Sequence, residues 1–184
     1  MKQNIYYFKI LKEPLLIIIV LLIMIEDSII QKTLMNRACE LSTLSVNKGC
    51  GPFGCVITDA NYAILSEGHN QVTELNDPTA HAEIVTIRNA CRKLNTFDLS
   101  GCKLFTSCEP CPMCLSAIYW AKITDIFYSN TRNDAKKIGF DDEFIYDEIK
   151  KELEERKVHL SKIESVYSQE SFDIWCSLKD KILY

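Results

Sequence analysis

At 184 residues, 47% of them hydrophobic and 25% charged, the chain has the length and apolar content of one globular domain, which excludes both intrinsic disorder and a pair of ordinary domains. A formal net charge of -4 provides no basic field for collecting a polyanion, which argues against nucleic acid as a partner and for a small substrate. Nine cysteines, an odd number, several of them within apolar runs, read as reduced thiols rather than a disulfide framework and point to a reducing, cytoplasmic setting.

The first segment stands apart. Residues 15–25 form an uninterrupted apolar run after Lys2, Lys9 and Lys12, as in a signal peptide, yet Glu26, Asp27 and Ser28 follow where a small-residue cleavage site belongs. As a helix the run rises only about 17 Å, against a hydrocarbon core of roughly 30 Å. We therefore expect residues 1–23 to be an extension outside the fold and 24–184 to be the folded domain. Export, packing as an extra helix and membrane contact of residues 15–25 stay open.

Ile30, Leu34, Ala38, Leu41 and Leu44 recur at helical period and predict an amphipathic helix ending near Gly49. Gly51-Pro52-Phe53-Gly54 breaks it. Residues 55–58 and 63–66 read as a hairpin across Asp59-Ala60-Asn61-Tyr62, and the polar stretch 70–78 reads as a loop. Thr79 is the expected N-cap of a second helix striped by Ile84, Ile87, Cys91 and Leu94, with His81 and Glu83 in its first turn. A strand over 102–106, a helix over 111–121 and a strand over 123–129 follow. This alternation predicts a partly parallel sheet covered on both faces. Beyond a looser region around Gly139-Phe140-Asp141-Asp142, we expect a charged helix over 143–155, a strand-like stretch over 158–166 and an amphipathic segment over 172–183.

Two stretches thirty residues apart read as halves of one metal site: Thr79-Ala80-His81-Ala82-Glu83 and Ser107-Cys108-Glu109-Pro110-Cys111-Pro112-Met113-Cys114. A histidine two residues before a glutamate, with a proline leading into cysteines at i and i+3, is the zinc-deaminase signature. His81, Cys111 and Cys114 give zinc three ligands and leave the fourth tetrahedral position to water, as a catalytic site requires. Cysteines three apart at a helix start project from one face, where the dipole favours thiolates, and Pro110 fits just before or at the first helical position. Either Cys-x-x-Cys pair taken alone would serve a redox dithiol or a structural metal equally well. His81 and Glu83 decide for catalytic zinc, with Cys108 a buried thiol that could still replace Cys111. Glu83 is placed as the proton shuttle, although an acidic residue in a first helical turn also stabilises the dipole. The reaction class is hydrolytic deamination of a heterocyclic amine.

Over residues 24–184 the chain resembles the cytidine-deaminase-like superfamily, and within it the bacterial guanine deaminases. The blocks that carry the resemblance are residues 51–54, 76–83 and 108–114, shared broadly, and Ala117-Ile118-Tyr119-Trp120-Ala121 and residues 139–146, which point to the guanine branch. The resemblance implies a three-layer α/β/α fold with a five-stranded mixed sheet, one zinc ion per subunit, and a homodimer in which residues 156–184 swap between subunits. It also implies that Asn70 hydrogen-bonds the purine edge, Phe53 and Trp120 wall the pocket, Asp142 accepts from guanine's N–H groups, and Tyr184 closes the partner's site. The plainer roles are a helix cap for Asp142, core for Trp120 and a chain end for Tyr184. The activity expected is conversion of guanine to xanthine and ammonia in purine catabolism or salvage. Alternatives are guanosine deamination, tRNA adenosine or cytosine deamination, and a structural zinc or binding module.

Overall fold

The structure, a computed structural model, describes residues 3–183, with side chains from residue 16 onward. Tyr184, expected to close a site, lies outside the described residues. Helix α1 (Gln3–Asn47) runs unbroken through position 24, and its buried positions Leu34, Ala38 and Leu41 form the predicted stripe. Strands β1 (Gly54–Thr58) and β2 (Ile64–His69) make the predicted hairpin. The expected loop that follows contains a short helix, α2 (Val72–Leu75), ended by Asn76 in the left-handed conformation. Helix α3 (Ala82–Leu94), strand β3 (Lys103–Cys108), helix α4 (Pro112–Trp120) and strand β4 (Asp125–Asn130) complete the central alternation.

The sheet order is β2-β1-β3-β4, with β1 antiparallel to both neighbours and β3 parallel to β4. Every residue of the central strand β1 is buried, as a strand covered on both faces must be. Cys55 and Ile57 join Leu104, Ile87 and Ile118 in the core under α3 and α4, while Val56 and Phe105 pack against Leu34, Ala38 and Leu41 of α1. The period-two alternation of β1 and β3 thus fixes two cores, one on each side of the sheet. Gly54 lets α1 approach: a Cβ there would stand 2.2 Å from the Ala38 carbonyl oxygen and 2.5 Å from the Ser42 nitrogen.

Beyond β4 the chain departs from what its local patterns predict. Helix α5 (Arg132–Lys137), which it did not anticipate, starts at Thr131, whose capping box with Asp134 is a legible T-x-x-D signal. The charged helix is shorter than expected: α6 (Glu143–Lys150) gives way to a separate 3-10 turn at Leu153–Glu155. Residues 158–166 form no strand, because their apolar side chains find no ladder partner; Val158, Ile163 and Val166 are 72%, 87% and 92% exposed. Four strands pair among the described residues where five were expected. Helix α7 (Glu170–Ser177) closes the description, with no buried residue. Among the described residues no helix is long and apolar enough to cross a membrane.

Candidate active site

The two halves of the motif meet because two helices begin at the same place. Thr79 is not the N-cap of α3: its hydroxyl and its N–H both donate to Asp77 Oδ1, at 2.6 and 2.7 Å, and the helix starts two residues later with His81 at the cap. Cys111 occupies the same position on α4, with Pro112 rather than Pro110 at the first helical turn. Neither cap side chain is spent on its own helix, so both turn toward each other. His81 Nδ1 lies 3.6 Å from Cys111 Sγ and 3.5 Å from Cys114 Sγ, and the three ligand atoms all fall within 4.8 Å of one another. Two cysteine sulfurs and an imidazole at this separation are the donors that suit zinc.

Glu83 is buried beside this trio. Thr106 Oγ1 donates to its Oε1 at 3.3 Å and Cys114 Sγ to its Oε2 at 3.4 Å. Burial pushes its carboxyl above the ordinary range, the direction that suits a group required to hold a proton for part of a reaction. Hydrogen bonding with Cys114, and after it with His81, draws the Cys111 thiol down to about 4. That same hydrogen bond pushes Cys114 up. Cys108 does not replace Cys111: its thiol faces the Thr131 carbonyl at 3.6 Å and burial holds it at about 11.

A cavity of about 290 Å³ opens over the trio, lined by His81, Glu83, Cys111, Phe53, Phe140 and Asp142, with Cys108, Glu109 and Arg132 at its side. Phe53 and Phe140 meet edge to face, centroids 5.0 Å apart. Asp142 precedes α6 but its side chain caps nothing; Asp141 Oδ1 accepts from the Glu143 N–H instead. Burial, followed by the charge of Cys111, raises the Asp142 carboxyl.

Asn70 is buried next to this wall without being among the cavity-lining residues: its Oδ1 accepts from the Val72 N–H at 3.1 Å. A Cβ at Gly51 would stand 3.3 to 3.4 Å from Phe53, Asn70 and Phe140, so the glycine gathers the three. Trp120 is elsewhere. It is 63% exposed and borders a separate groove of about 620 Å³ between α3 and α4, with Ile87, Phe97 and Met113. Phe140 and Arg132 carry no assigned role in the sequence reading; Phe140 stood in a recognised block, whereas nothing local marks Arg132.

A sequence model of the cytidine and deoxycytidylate deaminase zinc-binding region matches residues 28–130. Among curated proteins, guanine deaminase of Bacillus subtilis is 47% identical over 154 residues, covering 83% of this chain and 98% of that protein. The tRNA-specific adenosine deaminase of Aquifex aeolicus is 46% identical over 82 residues, 45% of this chain and 54% of that one. The X-ray structure of the Bacillus subtilis guanine deaminase superposes with a TM-score of 0.79 over 83% of this chain and 98% of that chain. With the His81, Cys111 and Cys114 trio on adjacent helix starts and a buried glutamate beside it, the chain belongs to the cytidine and deoxycytidylate deaminase family of zinc-dependent hydrolytic deaminases.

Proposed function

We propose that the chain converts guanine and water to xanthine and ammonia. The observation that carries this is Asp142, which lines the same cavity as His81 and Cys111, with oxygens not used to cap a helix. Guanine presents N1–H and its exocyclic amine side by side as donors to a carboxylate, whereas adenine has an acceptor at N1. A buried group left without its partner costs enough to reject such an analogue. A cavity of about 290 Å³ is near the lower end of small-molecule sites, roughly 300–1,000 Å³, and suits a base without its ribose. The likeness to a guanine deaminase along nearly all of that protein's length supports the same substrate.

In this reading His81, Cys111 and Cys114 hold the zinc, which when bound supplies a water acidified from a pKa of about 15.7 toward about 7. Glu83 takes a proton from the attacking water and passes it to a ring nitrogen as C2 becomes tetrahedral, then takes the proton of the new C2 hydroxyl and delivers it to the amine, which leaves as ammonia as the C2 carbonyl forms. Phe53 holds the purine's face. Asn70, its Oδ1 engaged by Val72, offers its amide N–H groups to the purine edge. Residues 156–184 cross to a second subunit in a homodimer, where 158–166 supply the fifth strand and Tyr184 covers the partner's site. Trp120, outside the cavity of one chain, walls the pocket in that assembly. Nine free thiols suit a cytoplasmic enzyme of purine catabolism or salvage, with residues 1–23 appended to the domain at 24–184.

Ammonia release from guanine, guanosine, adenine and cytosine, measured on one zinc-quantified preparation, tests the proposal. Guanine should be turned over at least a hundredfold more efficiently than the others. Faster turnover of guanosine, or of adenine, would assign the site to a different amine.

A further inference from the structure

Asp142 has little to hold it from its own helix, since α6 has no buried residue. What ties α6 to the metal-ligand loop is a closed ring of four residues, Glu109, Pro110, Arg132 and Tyr146. Glu109 and Pro110 are consecutive and lead directly into Cys111. Arg132, the first residue of α5, grips the Glu109 carboxylate with its backbone N–H at 3.1 Å, its Nε at 3.1 Å and its Nη2. The Arg132 guanidinium lies over the ring of Tyr146, 4.4 Å from the centroid. The Tyr146 hydroxyl completes the circuit by donating to the Pro110 carbonyl at 3.2 Å. Tyr146 is four residues after Asp142, one helical turn along the same face.

The contacts in this ring are of the kinds that hold geometry. The guanidinium is planar and meets a carboxylate with more than one N–H while its face stays free for an aromatic ring, a combination that an ammonium cannot reproduce. The remaining ties near Asp142 are weaker or lie on its other side. Lys136 pairs with Asp141 and Glu143 at 3.2 and 2.6 Å, but all three side chains are about half exposed and screened by water. Phe140 rests on Phe53 before the helix begins.

We infer that Arg132 and Tyr146 are positioning residues that set where the Asp142 carboxylate stands relative to Cys111, and thereby which heterocyclic amine the cavity accepts, an inference resting on the reading of Asp142 as the purine-recognising group. Neither side chain touches the reacting atoms in this role. Each acts by fixing α6 to the loop that carries the ligand.

The test uses the full zinc-loaded chain with Tyr146→Phe, which removes one oxygen and keeps the ring, and Arg132→Gln. Four quantities are measured: kcat and KM for guanine, the calorimetric Kd of hypoxanthine, which keeps N1–H but has no amine to lose, and zinc per chain. Tyr146→Phe should raise both KM and Kd about fivefold and Arg132→Gln about tenfold. The double variant should be no worse than Arg132→Gln, because a ring opened once is already open. Zinc content should be unchanged. In an Asp142→Asn background, which keeps an acceptor oxygen, either substitution should move Kd by less than twofold. Unchanged Kd in the single variants, the same loss in the Asp142→Asn background, or a fall in zinc content would each overturn the inference. A wild-type chain that neither deaminates guanine nor binds hypoxanthine would remove the purine reading and the ring together, whereas turnover of guanine with unaffected variants removes the ring alone.

Discussion

Glu83 is held by two donors of unequal kind, the Thr106 hydroxyl and the Cys114 thiol, inside a site that burial makes costly for charge. If it carries the proton between water and purine, Glu83→Gln should retain zinc and lose turnover by three or more orders of magnitude, measured as kcat beside metal content. Thr106→Val should cost only about tenfold in kcat, because it removes one donor and leaves the carboxylate. Undiminished turnover in Glu83→Gln would mean that another group moves the proton. His81, Glu83, Cys111 and Cys114 were legible in the sequence because each pair is local: both spacings lie within one helical turn. Arg132 was not, since its meaning depends on the end of β4 lying beside the loop after β3, a long-range adjacency that no local spacing announces. Thr79 misled for the opposite reason. Its residue type suits an N-cap, but Asp77 claims its hydroxyl first.

Among the elements, α1 and the sheet depend on close approach. Gly54→Ala would drive a Cβ into the α1 backbone rather than into a movable side chain, so it should destabilise the fold by about 1–3 kcal/mol, read as a lowered urea midpoint. The same helix is tied to β2 by Arg37, whose Nε and Nη2 meet the two Glu67 oxygens at 2.7 and 2.9 Å. The hydrogen bonds from Arg37 lower the Glu67 carboxyl below its ordinary value of 4.5. Its contribution is therefore complete above that value and is lost as pH falls through the lower folded one. Glu67→Gln should cost about 1 kcal/mol or less at pH 7 for this half-exposed pair, and the gap between variant and parent should close below pH 4 in thermal melts. The helices α1, α3 and α4 were legible because their stripes or boundary residues are strong. Residues 158–166 were not: an apolar alternation reports readiness to pair, and whether an edge is there to receive it is decided elsewhere in space.

At the scale of the molecule, both ends of the chain stand away from the two cores. Every side chain from Leu16 to Ile25 is 45–62% exposed, and packing against the sheet begins only around Ile30. Deletion of residues 1–23 should therefore leave the melting temperature within about 2 °C and turnover unchanged, while raising solubility, since it removes a contiguous apolar surface and, among the described residues, no core contact. A drop of many degrees would show that this stretch belongs to the fold. At the other end Phe172, Ile174 and Trp175 are exposed on a helix without buried residues. Light scattering should give twice the chain mass, and truncation after residue 155 should abolish both the dimer and turnover. Neither end could be placed from sequence, because composition marks a surface as apolar without naming what covers it.

The parallel pairing of β3 with β4 runs to Cys108 opposite Asn130, so the loops that leave the two strands emerge at one edge. The first of them supplies the metal-binding sulfurs, and the second leads through Arg132 toward Asp142. The two can therefore be altered separately: a substitution in the second loop changes what the cavity offers a heterocycle and leaves the sulfurs of the first in place.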